Sequence, residues 1–146
     1  MAITTNAICN SFKGQILTAT HNFTVSTGNK FKLAMYTTAA TLGASTTSFT
    51  TGSQVSSSGY TSGCKALVNS GVKVSGAIAI TNFSNVSFTG VTLSARGALI
   101  YNDTAAGDPA VCVLDFGGTK TATAGTFTVQ FPAFTTAAAI IRIGNA

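Results

Sequence analysis

The chain has 146 residues, a net charge of +5 and a hydrophobic content of 45%. Charged residues make up only 8% of it, against about 25% in an average domain, and glutamate is absent. Ten phenylalanines and three tyrosines exclude the aromatic-poor composition of a disordered chain. No apolar stretch has the length of a transmembrane helix, and we expect no signal peptide and no membrane insertion. The eight lysines and arginines form no run, so no specific nucleic-acid binding is predicted.

Serine and threonine fill the positions that charged residues usually take. Hydroxyl groups lose less free energy than ions when a partner covers them, which favours a subunit that lives in an assembly. A soluble β domain with an unusual surface is the alternative. The composition alone is compatible with both.

Residues 1–24 form an N-terminal segment in which a helix is predicted near residues 10–20. Asn10 or Ser11 could cap this helix, and one face of it carries Phe12, Ile16 and Leu17. The first predicted strand is FKLAMY, residues 31–36, in which Phe31, Leu33 and Met35 alternate with Lys32, Ala34 and Tyr36.

Residues 37–63 are almost entirely Thr, Ser, Gly and Ala. A loop this long is uncommon in a compact domain unless it has a purpose. Two interpretations stay open: the segment holds short edge strands, or it is a surface arm that orders only on a neighbour.

From residue 65 onward, short apolar or alternating runs follow one another, each bounded by Gly, Asn, Asp or Pro. Asn69-Ser70-Gly71 is predicted to be a hairpin turn, and Gly90 a bulge or kink. Pro109 should end pairing in the loop TAAGDPA, and GGTKTATAG, residues 117–125, is predicted to be a turn-rich connection.

Eight to ten strands at this spacing predict an all-β, single-domain β-sandwich over residues 1–146, jelly-roll or immunoglobulin-like, with at most one short N-terminal helix. The strand phases predict a set of largely buried positions: Phe88, Leu99, Tyr101, Val113, Phe116, Phe127, Val129, Phe131 and Ile141.

The sequence offers no catalytic, cofactor-binding or metal-binding residues. His21 is the only histidine, and we interpret it as a surface or capping residue. Of the three acids, Asp103 and Asp108 are explained by Asx turns, and Asp115 follows an apolar run. No phosphate-binding glycine motif occurs. We therefore predict a protein that is not an enzyme and has no cofactor.

Arg96 and Asp115 are the polar pair of most interest. If ARGALIY and VCVLDF are neighbouring strands, the two side chains can meet across the ladder. A structural ion pair is favoured over a ligand-binding arginine. An odd number of cysteines without a CxxC motif argues against disulfides and zinc, and predicts free thiols of a protein made in a reducing cytosol: Cys9, Cys64 and Cys112.

Several segments resemble a family of small virion proteins of tailed bacteriophages. The resemblance covers roughly residues 7 to 144, and its most specific pieces are ARGALIYND and AVCVLDFGG. The other matching pieces are FKLAMYTTAATLGASTTSFTT, the Gly-Tyr pair in SSSGYTSG, FTGVTLS, GTKTATAGTFTVQFP and AAIIRIG.

The resemblance implies a structural protein of the virion, assembled in the host cytoplasm. We expect a capsid decoration or cement protein that packs against itself, as a trimer, and against the major capsid protein of the phage. The alternative is a tail- or fibre-associated module that binds a receptor on the host surface.

Overall fold

The computed structural model describes residues 3–61 and 64–145, and in these residues it has eight strands and one helix. Strands take up 47% of the described residues and helix 6%. The prediction of an all-β domain with one short N-terminal helix is therefore confirmed. Residues 62 and 63 of the predicted polar loop lie outside the described residues, as do residues 1, 2 and 146 of the predicted domain.

Two antiparallel sheets build the domain. The larger sheet has the order β1-β7-β6-β2-β3, from β1 (Ala7–Ile8), β2 (Phe31–Tyr36), β3 (Lys65–Ala66), β6 (Val86–Asn102) and β7 (Ala110–Val129). The smaller sheet has the order β4-β5-β8, from β4 (Asn69–Ser75), β5 (Ile78–Phe83) and β8 (Ile141–Ile143). The helix α1 spans Asn10–Leu17.

An aromatic cluster joins the two sheets. Phe31 of β2 and Phe83 of β5 lie 5.7 Å apart between ring centroids, and Phe23 stacks on Phe31 at 4.4 Å. All three rings are buried. Stacked and tilted rings at these separations add to the free energy that burial itself provides. The cluster is therefore the centre of the sandwich-like core that the sequence predicted.

The hairpin of β6 and β7 dominates the molecule, with strands of 17 and 20 residues. In its base, residues 97–101 pair with 110–115, and the Asn102 N–H donates to the Pro109 carbonyl. β1 and β2 flank this part of the hairpin. In its far half, residues 86–95 pair with 120–129 as a two-stranded ribbon.

The prediction of a turn-rich connection at residues 117–125 is wrong, because β7 continues through them. Gly117 and Ala124 have positive φ angles of 75° and 45°, and the register of β7 against β6 shifts around both. Extra residues are thus absorbed as bulges and pairing resumes. The phase shift predicted at Gly90 is confirmed, since the register changes between Phe88 and Val91.

The hairpin turn predicted at Asn69–Gly71 is also wrong. These residues lie within β4, and the turn to β5 falls at Gly76 and Ala77, between the paired residues Ser75 and Ile78. Gly71 has a φ of +89° and lies where the register of β4 shifts. Gly71 therefore lies in a β-bulge. A bulge, like a turn, requires a residue that can adopt a positive φ angle.

Helix α1 begins after Cys9, which is the N-cap and makes no side-chain capping bond. The predicted caps, Asn10 and Ser11, lie inside the helix. The Asn10 N–H instead donates to the Ala44 carbonyl at 2.8 Å, so the polar segment stabilises the start of the helix. Phe12 faces the core, whereas Leu17 is 87% exposed.

Residues 37–61 pack against the larger sheet. The Val55 N–H donates to the Met35 carbonyl at 2.9 Å, and the Met35 N–H donates to the Tyr60 hydroxyl at 2.8 Å. Phe49 stacks on Tyr101 at 4.5 Å. Between isolated bridges at Tyr36–Gln54 and Ser48–Pro109, the segment is irregular. Its few apolar residues are thus the anchors that hold the polar chain on the sheet.

Most of the predicted core positions are buried in the structure. Phe116 and Phe131 are the exceptions and are half-buried, because Phe116 opens the first bulge of β7 and Phe131 lies beyond its last residue. The buried ones are Phe88, Leu99, Tyr101, Val113, Phe127, Val129 and Ile141.

Candidate interaction surfaces

The predicted contact between Arg96 and Asp115 is present at the junction of the base and the far half of the hairpin. Arg96 Nη1 donates to Asp115 Oδ1, and the Gly117 N–H donates to the same oxygen at 2.8 Å. The two side chains are 17% and 13% exposed. The hydrogen bond from Arg96, and then that from Gly117, hold the pKa of Asp115 below its usual value. The contacts are those of a structural ion pair beside the bulge.

Glycine at position 97 is required by the same junction. A Cβ atom there would overlap the Leu114 carbonyl oxygen and approach Ile3 Cδ1 to 2.8 Å. The neighbouring strand and the N-terminal segment therefore pack directly on the backbone beside Arg96. This explains the Arg-Gly sequence at the start of the apolar run.

The interpretation of His21 as a surface or capping residue is wrong, because His21 is buried. Its Nε2 lies 2.9 Å from Gln15 Oε1, and its Nδ1 lies 3.1 Å from Asn102 Nδ2. Since the Asn102 amide donates, Nδ1 is the acceptor and Nε2 carries the proton. Burial lowers the pKa of His21, so the neutral ring is favoured.

Asn102 is a fully buried polar hub at the end of β6. Its Nδ2 also donates to Asn29 Oδ1 at 2.9 Å, and its Oδ1 accepts from the N–H groups of Thr104 and Ala105. The Asx turn in this loop is thus made by Asn102, while Asp103 pairs with Lys32 at 3.1 Å. Asp108 has a positive φ of 48°, and its carbonyl accepts from the Phe49 N–H.

All three cysteines are free. Cys112 is buried in β7 as the apolar run predicted, Cys9 is buried beside it, and Cys64 is half-buried. Burial raises the pKa of the Cys9 and Cys64 thiols to about 11, and that of Cys112 further. The thiols are therefore protonated and poorly reactive at neutral pH.

Within residues 3–61 and 64–145, no three His, Cys, Asp or Glu side chains are placed to hold a metal ion. The same residues include no helix long and apolar enough to cross a membrane.

The far half of the β6–β7 hairpin presents an uncharged face of hydroxyls. We call it the hydroxyl face and define it as Ser87, Thr92, Ser94, Thr121 and Thr128. Ser87 and Thr128 Oγ atoms lie 2.8 Å apart, and those of Ser94 and Thr121 lie 2.9 Å apart. The cross-strand pairs hold one another in place, so a partner that covers them orders few additional rotamers.

The opposite face of the far half is apolar and covered by the polar segment. Tyr60 lies 5.8 Å from Phe88, and a Cβ atom at Gly59 would come within 2.8 Å of the Gly90 carbonyl oxygen. Lys65 Nζ lies 5.4 Å above the Phe88 ring and donates to the Ser87 carbonyl. The Gly59-Tyr60 pair therefore fixes residues 37–61 to the ribbon. Thr37 and residues 55–57 of this segment also border the hydroxyl face, where they line a recess with Thr92, Ser94 and Thr121.

A groove of about 660 Å³ lies along the outer side of the base. One wall is β1 with residues 112–116 of β7, and the other is formed by residues 129–132 and 138–140. Asn6, Asp115 and Gln130 are its polar side chains, and their neighbours in the groove are apolar residues such as Leu114 and Phe131. The groove has the size of a small-ligand or peptide site.

Comparisons with protein-family models, with curated proteins and with solved structures found no match to this chain. The resemblance to tailed-phage virion proteins gains no support from them.

Proposed function

We propose that this chain is a non-enzymatic structural subunit of a tailed-phage virion, a decoration or cement protein that stabilises the capsid shell. The hydroxyl face carries the proposal. It is about 23 Å long from Ser87 to Ser94 at 3.3 Å per residue, and it belongs to a ribbon fixed to the domain at its base. A rigid, uncharged strip can be covered by a flat protein surface without desolvating ions.

The internal contacts of the polar side chains support a structural protein. His21, Asp103 and Asp115 all have partners within the chain, and these contacts fix turns, strand ends and a bulge. The segments ARGALIYND and AVCVLDFGG, which carry the resemblance to tailed-phage virion proteins, form the base of the hairpin. This resemblance is the reason for proposing a role in the virion.

The proposed partners are copies of the chain itself, as a trimer, and the major capsid protein. Trimers suit the three-fold positions of a capsid lattice, and closed symmetry is the common solution for identical subunits. The subunit is proposed to be assembled in the host cytoplasm and to reside in the virion.

A tail- or fibre-associated module that binds the host surface is the second candidate. The groove beside β1 favours it, because a concave site with few polar groups suits a small ligand or a peptide better than a flat shell does. Copy number separates the two candidates: hundreds of copies per particle indicate the shell, and a few to tens indicate the tail.

The decisive experiment removes the protein from particles and heats them. A cement protein binds only the assembled shell, so its removal should lower the temperature at which the shell opens. Adding the protein back should restore that temperature. Unchanged shell stability together with lost adsorption to host cells would reject the cement function in favour of the host-binding module.

A point variant tests the surface itself. Thr121→Lys places a charge in the middle of the hydroxyl face and should reduce rebinding to depleted shells at least tenfold, because the charge would be desolvated without a partner. Thr41→Lys, at an exposed threonine of the polar segment, is the matched control and should rebind normally. Equal rebinding by both variants would show that the hydroxyl face is not the contact.

A further inference from the structure

The amide group of Asn102 can take only one orientation. Its Oδ1 accepts hydrogen bonds from the backbone N–H groups of residues 104–105, and its Nδ2 donates to Asn29 Oδ1 and to the Thr20 carbonyl. Because a backbone N–H can only donate and a carbonyl can only accept, exchanging the two amide atoms would break the bonds to the backbone. His21 Nδ1 therefore faces an NH2 group in every protonation state of its ring.

A second proton on His21 has no acceptor. The neutral ring donates from Nε2 to Gln15 Oε1 and accepts at Nδ1 from Asn102. In the charged ring both nitrogens carry protons, so the N–H at Nδ1 would point at the Asn102 NH2 group, 3.1 Å away. Phe12 and Phe31 lie beside the ring at centroid distances of 4.9 and 6.4 Å and offer no lone pair. The charged ring therefore opposes the closed arrangement.

No acidic side chain lies beside His21 to offset a positive charge, since it forms no ion pair with the described residues. The elements packed against the ring are α1, residues 18–30, β2 and the end of β6. Their charged or titratable groups are Cys9, Lys13, Lys30, Lys32, Tyr36, Tyr101, Asp103 and Asp108. Lys32 and Asp103 pair with each other. Protonation would thus place an uncompensated charge among buried rings.

Helix α1 is weakly attached to the rest of the domain. It has eight residues, which is too short for a stable isolated helix, and it contains Gly14. Among its residues only Phe12 is buried, and its N-cap makes no side-chain capping bond. Its last turn is joined to β6 through the imidazole, because Gln15 binds one ring nitrogen of His21 and Asn102 binds the other. The helix therefore depends on the protonation state of this ring.

We propose that His21 is an acid-sensitive switch, whose protonation opens the contact with Asn102 and releases α1 and residues 18–29 from the end of β6 while the β6–β7 hairpin stays folded. Release uncovers the buried rings of Phe12 and Phe23. The switch is a property of the isolated chain and goes beyond the proposed function, on which it does not rest.

The test is amide hydrogen exchange of the isolated protein, followed by NMR from about pH 7.5 to about pH 5. Exchange is expressed as protection factors, which removes its intrinsic pH dependence. One proton drives the opening, so protection of the Thr20 and Asn29 amides should fall by up to about tenfold per pH unit below 6.5. The amides of Leu99 and Val113 in the hairpin report opening of the whole domain and should remain at least about tenfold better protected at every pH.

Two variants assign the effect to the ring. His21→Asn removes the only imidazole of the chain and should make the protection of the same two amides independent of pH over this range. Lys13→Ala is the matched control on α1, since Lys13 Nζ donates to Asn10 Oδ1 and not to the ring, and it should keep the wild-type pH dependence.

Asn102→Asp tests the direction of the switch. A carboxylate in place of the amide accepts from the charged ring, so protection should rise and not fall as the pH is lowered from about 7.5 to 6.5. Three results would overturn the proposal: wild-type protection that does not change with pH, a pH dependence that persists in His21→Asn, or equal protection of the α1 segment and the hairpin, which would mean that the whole domain opens at once.

Discussion

The base and the far half of the β6–β7 hairpin consist of the same two strands in different surroundings. In the base, residues 97–102 are all buried, because β1 and β2 extend the sheet and other segments cover both faces. In the far half, buried Val91, Leu93 and Ala95 alternate with exposed Thr92 and Ser94. The strands β6 and β7 pair with each other in both halves. The difference in side-chain pattern therefore comes from the other elements that surround the hairpin.

This difference in burial indicates that the two halves of the hairpin have different roles. The base holds the core, the ion pair and the buried hub at Asn102, whereas the far half offers a polar face on a supported ribbon. Loss of stability should therefore concentrate in the base, and loss of binding in the far half.

The largest effect is expected from truncating the base. Leu99→Ala should lower the free energy of unfolding by about 3–5 kcal/mol, because Leu99 is fully buried between covered faces. Leu93→Ala is the matched change in the far half. This variant should lower the free energy of unfolding by about 2–3 kcal/mol, since the ribbon can relax around the cavity. Denaturant unfolding measures both. Equal losses would mean that the two halves are packed alike.

The ion pair at the junction should have the next largest effect. Asp115→Asn keeps an oxygen for the Gly117 N–H but removes the charge facing Arg96, and it should reduce stability by about 1–3 kcal/mol. Asp108→Asn, in the loop of the hairpin, is the control and should change stability by less than about 0.5 kcal/mol.

The pH dependence of the Asp115 variant adds a second readout. The pKa of Asp115 is lowered in the folded protein, so its contribution is present above its ordinary value of 3.8 and is lost as the pH falls through the lowered pKa. The difference between wild type and Asp115→Asn should therefore shrink in acid below that range. A constant difference would exclude the charge as its cause.

Protonation of His21 should weaken the end of the base. The pKa of His21 is lowered in the folded protein, so the unfolded chain takes up the proton first as the pH falls below 6.5. Stability is complete above that pH and should fall below it, by no more than about 1.4 kcal/mol per pH unit for one proton. His21→Asn keeps an acceptor for Asn102 and should abolish the slope between pH 6.5 and 5. A slope that persists in this variant would assign it to another group.

The smallest effect is expected on the hydroxyl face. Ser94→Ala removes the bond to Thr121 on an exposed surface and should change the free energy of unfolding by less than about 0.5 kcal/mol. A loss above 1 kcal/mol would show that the hydroxyl ladder stabilises the ribbon, and binding variants on this face would then need stability controls.

The sequence predicted the features that depend on residues close to one another along the chain. The apolar runs of the base, the bulge at Gly90 and the meeting of Arg96 with Asp115 all follow from strand period and antiparallel pairing. The turns predicted at Asn69–Gly71 and 117–125 failed because glycine-rich bulges and turns require the same backbone freedom.

The surroundings of His21 could not be read from the sequence. Its partner Asn102 lies 81 residues away, and the aromatic rings around it come from α1 and β2. The hydroxyl face was equally hidden, because Ser and Thr occur throughout the chain and only pairing between β6 and β7 selects those that align.

The connection between β6 and β7 has a consequence for how the chain folds. Only residues 103–109 separate the two strands, so closing the hairpin restricts few residues, whereas β1 pairs with β7 across 106 positions, from Ala7 to Val113. We expect the hairpin to form early and to serve as the template on which β2 and then the N-terminus assemble. Substitutions in the base should then slow refolding, and Ile8→Ala in β1 should mainly speed unfolding, a contrast that φ-values from stopped-flow kinetics would reveal.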